Sequence, residues 1–356
     1  MHISRQSRDK SLLELFSMAN RSKVSRAAVA LLIGLLVAIP TGVKSIGVCY
    51  GMNGNNLPQP SAVVNLYKSK NINAMRLYDP NQAALQALKG SNIQLILDVP
   101  NTRLQSLASS PSAANNWVQQ NVKAYSSGVS FKYIAVGNEV IPGAEAQYVL
   151  PAMRNIYSAL SSAGLQNQIK VSTAVATSVL GKSFPPSQGA FSSAAMTYLS
   201  PIVQFLASNG APLLVNVYPY FSYVNNPNQI NIEYALFTSP GTVVTDGQYK
   251  YQNLFDAIVD AIYAALEKVG GSNVAIVVSE SGWPSAGGTA ATINNAKTYN
   301  QNLINHVGQG TPRRSGKAIE AYIFEMFNEN LKSSGIEQNF GLFYPNMQPV
   351  YPINFT

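Results

Sequence analysis

Two glutamates stand in runs of sequence that should not tolerate them. Glu139 closes YIAVGNEV (133–140), and Glu280 interrupts VAIVVSESGW (274–283). A carboxylate among such neighbours needs a partner or a task. Nine Glu follow residue 45, and Glu139, Glu280, Glu325 and Glu329 fall in apolar, β-rich runs. Two carboxyls meeting at one cleft, with no metal or cofactor motif beside them, are the minimum equipment for cleaving a glycosidic bond. One protonates the leaving oxygen, and the other attacks the anomeric carbon or activates water. Tyr50, Tyr78, Tyr218, Tyr220, Trp283 and Phe327 gather at the ends of the same kind of run, near Asn138, Asn216 and Asn328. Sugar rings have apolar faces and polar edges, which aromatic platforms flanked by amides would suit.

Other chemistries fit poorly. Gly181-Lys182-Ser183 resembles the end of a phosphate loop, but Ala176 occupies the place of the first glycine and Pro185-Pro186 blocks the helix that must follow. No G-x-S-x-G elbow is present, and His306, the one histidine after residue 45, lies within a helical pattern, QNLINHV. A Ser-His-Asp triad is therefore not expected. One Cys and two His leave no disulfide framework and too few ligands for a His/Cys metal centre, so neither metal nor cofactor is expected. Cys49, in IGVCYG, reads as a buried, inert thiol.

Composition agrees. Charged residues are 11% of the 356, so polarity comes from neutral groups, including 34 Asn against 16 Asp plus Glu. Such a surface suits a ligand made of hydroxyl groups better than one made of phosphates. The net charge of +8 is concentrated: residues 1–45 hold seven of the 24 Lys and Arg and only two acids, Asp9 and Glu14. The remainder carries a scattered +3 with no basic run beyond Arg313-Arg314, so nucleic acid is not an expected partner.

The elements that must position the carboxylates recur after Ile46. Eight short apolar runs, 46–51, 74–79, 94–99, 133–140, 169–177, 212–220, 274–283 and 321–329, alternate with helical stretches. Several are almost continuously hydrophobic, as strands covered on both faces must be. Asp79-Pro80 offers a helix start and Gly90 a stop, while residues 252–269 place Leu254, Ile258, Ile262, Ala265 and Val269 on one face before Gly270-Gly271. Eight strand–helix alternations predict an α/β fold, a (β/α)8 TIM barrel, with a doubly wound open sheet as the rival. The long gap after strand six, residues 221–252, predicts a small insertion subdomain beside the mouth. Glu139 and Glu280 then project from strands four and seven toward one mouth. Alternation places Tyr133, Ala135 and Gly137 on the face of Glu139, and Val274, Ile276 and Val278 on that of Glu280. Converging from those strands, the carboxyls are expected about 5–5.5 Å apart, the spacing of a retaining enzyme.

Residues 1–45 read as an address. Ala27–Pro40 is fourteen uncharged residues, short against the roughly 20 needed to span a bilayer. It follows Arg21, Lys23 and Arg26 and precedes Val43-Lys44-Ser45, the layout of a secretory signal cleaved before Ile46, with translation starting at Met1 or Met18. The mature chain, 46–356, is expected to be a single domain, free of the membrane, with one sequon at its extreme C-terminus (Asn354).

The motifs IGVCYGM, MRLYDPN, YIAVGNEV, VNVYPYF, VVSESGWPSAG, FEMFNEN and NFGLFYP, in that order over 46–356, resemble the plant endo-β-1,3-glucanases of glycoside hydrolase family 17, the pathogenesis-related glucanases. The resemblance implies that Glu280 is the nucleophile and Glu139 the acid/base, with Glu329, Lys332 and Glu337 in support beside Asn138. It further implies a β-1,3-glucan substrate, a monomer, a role in defence and, from the short end YPINFT, the extracellular space rather than the vacuole. The same scaffold hosts β-1,3;1,4-glucanases. From another class, the rival is a glucan-binding protein on a dead barrel, against which the intact carboxylate pair argues.

Overall fold

The computed structural model describes residues 46–356, and the leader, its cleavage point and the start codon lie outside them. Eight parallel strands close into a barrel: β1 (Ile46–Tyr50), β2 (Ala74–Leu77), β3 (Gln94–Val99), β4 (Ser130–Asn138), β5 (Lys170–Ala176), β6 (Leu213–Asn216), β7 (Ile276–Ser281) and β8 (Glu320–Ile323). Each pairs with its neighbours in sequence, and β1 pairs with β8, so the open-sheet alternative is excluded. The last strand is shorter than expected. Beyond Ile323 the chain leaves the barrel and bonds to loops instead, Phe324 N–H to Ser281 and Met326 N–H to Cys49. Glu325 and Glu329 are therefore loop residues, not strand residues.

The strand sequences explain both walls. Met75, Leu95, Leu97, Ile134, Val215 and Val278 face outward into the helices, where burial of each contributes about 1.5–3 kcal/mol. Inward residues stack in layers. Ala74, Ile96, Leu214 and Val277 form an apolar layer with Cys49, Ala135 and Tyr322. Two residues further along the same four strands stand Arg76, Asp98, Asn216 and Ser279, all buried. The period of two thus turns an apolar layer into a polar one at the C-terminal mouth.

Helices cover the outside. The one after β2 is Gln82–Leu88, and its cap is Asn81, which accepts from Ala84 N–H at 3.0 Å, rather than Asp79. Asn53 lies on the mouth side of β1, while Asn253 caps the long helix Leu254–Lys268, whose N-terminal donor at Asp256 it takes at 2.8 Å. The insertion after β6 consists of two short helices, Pro219–Asn225 and Ile232–Ala235, and a hairpin, Val244–Asp246 with Tyr249–Tyr251. A second hairpin after β5, Leu180–Lys182 with Ala190–Phe191, occupies the stretch that resembled a phosphate loop.

Candidate active site

The backbone around both glutamates departs from regular strand. On β7 the register shifts between Val278 and Glu280 against β6, a bulge that re-aims side chains. Ile276 and Val278 belong to the outer core, so the expected shared face with Glu280 is wrong. The extra residue lets Ser279 and Glu280 both reach the barrel mouth. On β4 a similar shift lies between Ala135 and Asn138, and Gly137 (φ +83°) and Glu139 (φ +56°) both adopt the left-handed region. Tyr133 and Ala135 point into the barrel, but alternation does not carry through to Glu139. A non-glycine residue held there costs on the order of 1–3 kcal/mol, and the Glu139 N–H bond to Ala174 O at 2.9 Å helps to fix it.

Glu280 is held by three donors. Its Oε1 accepts from Arg76 Nη1 and from Tyr78 OH, both at 2.8 Å, and its Oε2 accepts from Tyr218 OH at 2.7 Å. Burial pushes both phenols well above their ordinary range, with the Glu280 charge adding to the shift, so each keeps the proton that it donates. Arg76 is wholly buried and also binds Asp98 through two nitrogens, at 3.2 and 2.7 Å. Burial alone would lower the guanidinium, but Asp98, Tyr78 and Glu280 outweigh it and hold it above its ordinary value.

Glu139 is held differently. Asn216 Nδ2 donates to its Oε1 at 2.8 Å, while Asn216 Oδ1 accepts from Ser279 Oγ at 2.8 Å and from Arg76 Nη1 at 3.2 Å. The two glutamates therefore end in one hydrogen-bonded network at one mouth. Asn138 Oδ1 joins it, accepting from Arg76 Nη2 and Asn216 Nδ2, both at 3.0 Å. Burial, and then the neighbouring Glu280 charge, raise the Glu139 carboxyl above its usual range.

A third group stands beside them. Lys332 Nζ lies 2.6 Å from Glu325 Oε1 and 3.1 Å from Glu329 Oε2, and 4.2 Å from the centre of the Phe324 ring. Glu329 Oε1 also accepts from Asn53 N–H at 2.9 Å. Burial holds the Glu325 carboxyl well above its ordinary range. Lys332 would be lowered by burial, but the two glutamates raise it, so the ammonium persists. Glu337 is half-buried and lines the groove on both sides of Glu280.

The groove runs from Tyr50, Asn53 and Tyr78 past Glu280 and Phe324 to Glu139, Tyr218 and Phe221. Tyr78, Asn216 and Tyr218 line it. Trp283, Tyr220 and Phe327 do not: they are interior residues and must be withdrawn as platforms. Trp283 is 0% exposed, its Nε1–H bonded to Ala290 O at 2.9 Å, and Tyr220 packs on it at 5.0 Å between ring centroids. Phe327 packs against Tyr50, and Asn328 is tied to Gly341 N–H. The aromatic surface comes instead from Phe221 and Phe324, both half-exposed and set 5.4 and 6.1 Å from Tyr218. Among described residues no group of three or more His, Cys, Asp or Glu could hold a metal ion.

Arg76 and Asp98 were not singled out from sequence. Arg76 bridges two buried carboxylates, so its removal strands both. Arg76→Met is expected to destabilise the fold by about 3–5 kcal/mol, read as a lowered urea midpoint. A change below about 1 kcal/mol would mean that water or Tyr78 compensates.

Residues 46–355 match the family described as Glycosyl hydrolases family 17. A glucan endo-1,3-beta-glucosidase of Vitis vinifera is 62% identical over 335 residues, 92% of this chain and 97% of the relative. Lichenase-2 of Hordeum vulgare is 58% identical over 316 residues, 89% of this chain and all of the relative. A solved structure from work on two plant β-glucan endohydrolases with distinct substrate specificities superposes with a TM-score of 0.85 at 58% identity, covering 87% of this chain and all of that one. A barrel whose mouth gathers two unequal carboxyls, in a chain matched from end to end of its described residues, belongs to glycosyl hydrolase family 17.

Proposed function

We propose that this chain is an endo-β-1,3-glucanase that works by double displacement with retention, Glu280 being the nucleophile and Glu139 the acid/base. The observation that carries the reading is the unequal treatment of the two carboxyls. Glu280 accepts three hydrogen bonds, one from a cation, which fix its oxygens for attack. Glu139 has one amide donor and a raised pKa, which suits a group that arrives protonated. In the first step Glu139 gives its proton to the leaving glycosidic oxygen while Glu280 attacks the anomeric carbon. In the second, Glu139, now ionised, takes a proton from water as that water displaces Glu280. Carboxyls about 5–5.5 Å apart belong to this mechanism. The groove continues on both sides of Glu280, as internal cleavage of a polymer requires.

For linkage we favour 1,3 over mixed 1,3;1,4, the Vitis vinifera glucanase being 62% identical and the barley lichenase 58%. Incubation with a linear 1,3-glucan and with a mixed 1,3;1,4-glucan decides. Faster release of internal fragments from the former is expected, and cleavage of only the mixed polymer would overturn the choice.

The pH profile follows from the proton inventory. Glu139 must hold a proton and Glu280 must lack one, so kcat/KM should be bell-shaped with an acidic optimum. The raised Glu139 pKa moves the alkaline limb upward, because the acid is lost only as pH climbs through that raised value. Both limbs belong to the coupled pair. Activity still rising into alkaline pH would contradict the roles.

We further propose that the mature protein begins at Ile46 and is secreted to the extracellular space. The short apolar run followed by small residues supports this. N-terminal sequencing of the secreted protein should read IGVCYG, whereas a leader still attached would overturn it.

A further inference from the structure

A second cleft opens where the two inserted hairpins meet. Ser183 and Phe184 from the segment after β5, Ser222, Asn226 and Gln229 from the insertion after β6, and Val243 line it, and the rest of its wall is largely apolar, with Ile230, Tyr234, Leu254 and Ile258. Ser222 and Asn226 also line the groove beside Glu139, so the cleft continues the groove rather than standing apart from it.

Three features define what fits. No Asp, Glu, Lys or Arg lines the cleft, which leaves nothing to recognise a charged ligand. Phe184 is 68% exposed and Val243 47%, among the few large apolar side chains that the described residues leave to solvent. Beside them, the exposed Ser183 and Gln229 make no side-chain hydrogen bond to another of the described residues. An exposed aromatic face among uncharged hydrogen-bonding groups matches the flat apolar face and hydroxyl edge of a neutral sugar.

The walls are also braced against one another. Asp246, on the hairpin of the second insertion, accepts from Ser187 N–H at 2.6 Å and from Ser187 Oγ at 2.8 Å, joining the two inserted segments. Charge-assisted bonds of this kind hold the separation before any ligand arrives, so little ordering cost remains for binding.

We propose that this cleft is a distal subsite that binds glucosyl units of the same β-1,3-glucan chain, beyond the leaving-group side of the bond being cleaved. Phe184 supplies the stacking surface, with Ser183 and Gln229 as hydroxyl partners. It rests on the endo-glucanase reading and adds a dependence on chain length. Only a polymer can fill the central groove and the cleft together, which raises affinity without a new reacting group.

The test compares Phe184→Ala and Gln229→Ala with the parent protein on a long linear 1,3-glucan and on a 1,3-linked glucotetraose. Phe184→Ala should raise KM for the polymer about 3- to 10-fold with kcat within about 1.5-fold, and Gln229→Ala should raise it less. Cleavage of the tetraose, whose four units are expected to be taken up by the central groove, should show no matching rise. Because Phe184 is exposed, the thermal midpoint serves as a control for folding. Equal losses on both substrates, or no loss on the polymer, would overturn the distal subsite. Failure of the parent protein to cleave either substrate would instead overturn the endo-glucanase reading itself.

Discussion

Glu280→Gln should lower kcat on a 1,3-glucan by about 10⁴-fold or more, equivalent to about 5.5 kcal/mol of transition-state stabilisation. The amide preserves shape but cannot form the glycosyl ester, so no alternative nucleophile waits at the anomeric carbon. The variant should still fold. Removing the charge leaves Arg76 paired with Asp98, and the amide oxygen still accepts from Tyr78 or Tyr218. KM should change much less than kcat, because the groove walls from Tyr78 to Phe221 stay in place. Reducing-end release measures the loss. Residual activity within about 100-fold of the parent would mean that Glu280 is not the attacking group.

Glu139→Ala should produce a loss that depends on the leaving group. With the natural polymer, proton donation to a sugar alkoxide is indispensable, and kcat/KM should fall by about 10²–10⁴-fold. An aryl β-glucoside of a 1,3-linked disaccharide with an acidic phenol needs no such help, so formation of the glycosyl ester should be nearly unimpaired. Its breakdown should then be slow, since water has lost its base. A small anion such as azide, which needs no base, should restore turnover and leave a β-glycosyl azide. Equal losses on both substrates without rescue would assign Glu139 a purely structural role. The test is sharp because Glu139 makes few bonds, the amide of Asn216 being the one that anchors its carboxyl.

Much of this site could be read from residue order, and the misreadings have physical causes. The eight strands were legible because strands buried on both faces are nearly continuous apolar runs, as in QLILDV, whereas closure rests on the pairing of β1 with β8, which spacing along the chain does not show. Glu139 and Glu280 were legible as charges at the ends of such runs. Their orientation was not, because bulges after Ala135 and Val278 break the alternation on which a face assignment depends. Trp283 and Tyr220 look like rim residues in one dimension, but the loop after β7 folds inward and packs Trp283 against Tyr299, while Tyr220 packs edge-on against Trp283. Arg76 and Asp98 carried a signal that was available: each is a lone charge at an inward position, two residues beyond Ala74 and Ile96 on their strands. A pair of opposite charges at matching depth on adjacent strands is what a buried ion pair looks like in sequence. Glu325 was noticed as a costly charge, yet its link to Lys332 depends on a chain reversal after β8 that no periodicity announces.

The division of labour between the two carboxyls is tested most directly by trapping the intermediate. A 2-deoxy-2-fluoro 1,3-linked disaccharide with an activated leaving group forms the glycosyl ester quickly and releases it slowly, since fluorine destabilises the oxocarbenium-like transition state of the second step. After proteolysis, mass spectrometry should find one added disaccharide on the peptide carrying Glu280, none on that carrying Glu139, and none on any peptide of Glu280→Gln. Label on Glu139, or turnover of the natural polymer with no covalent species on Glu280, would contradict the assignment.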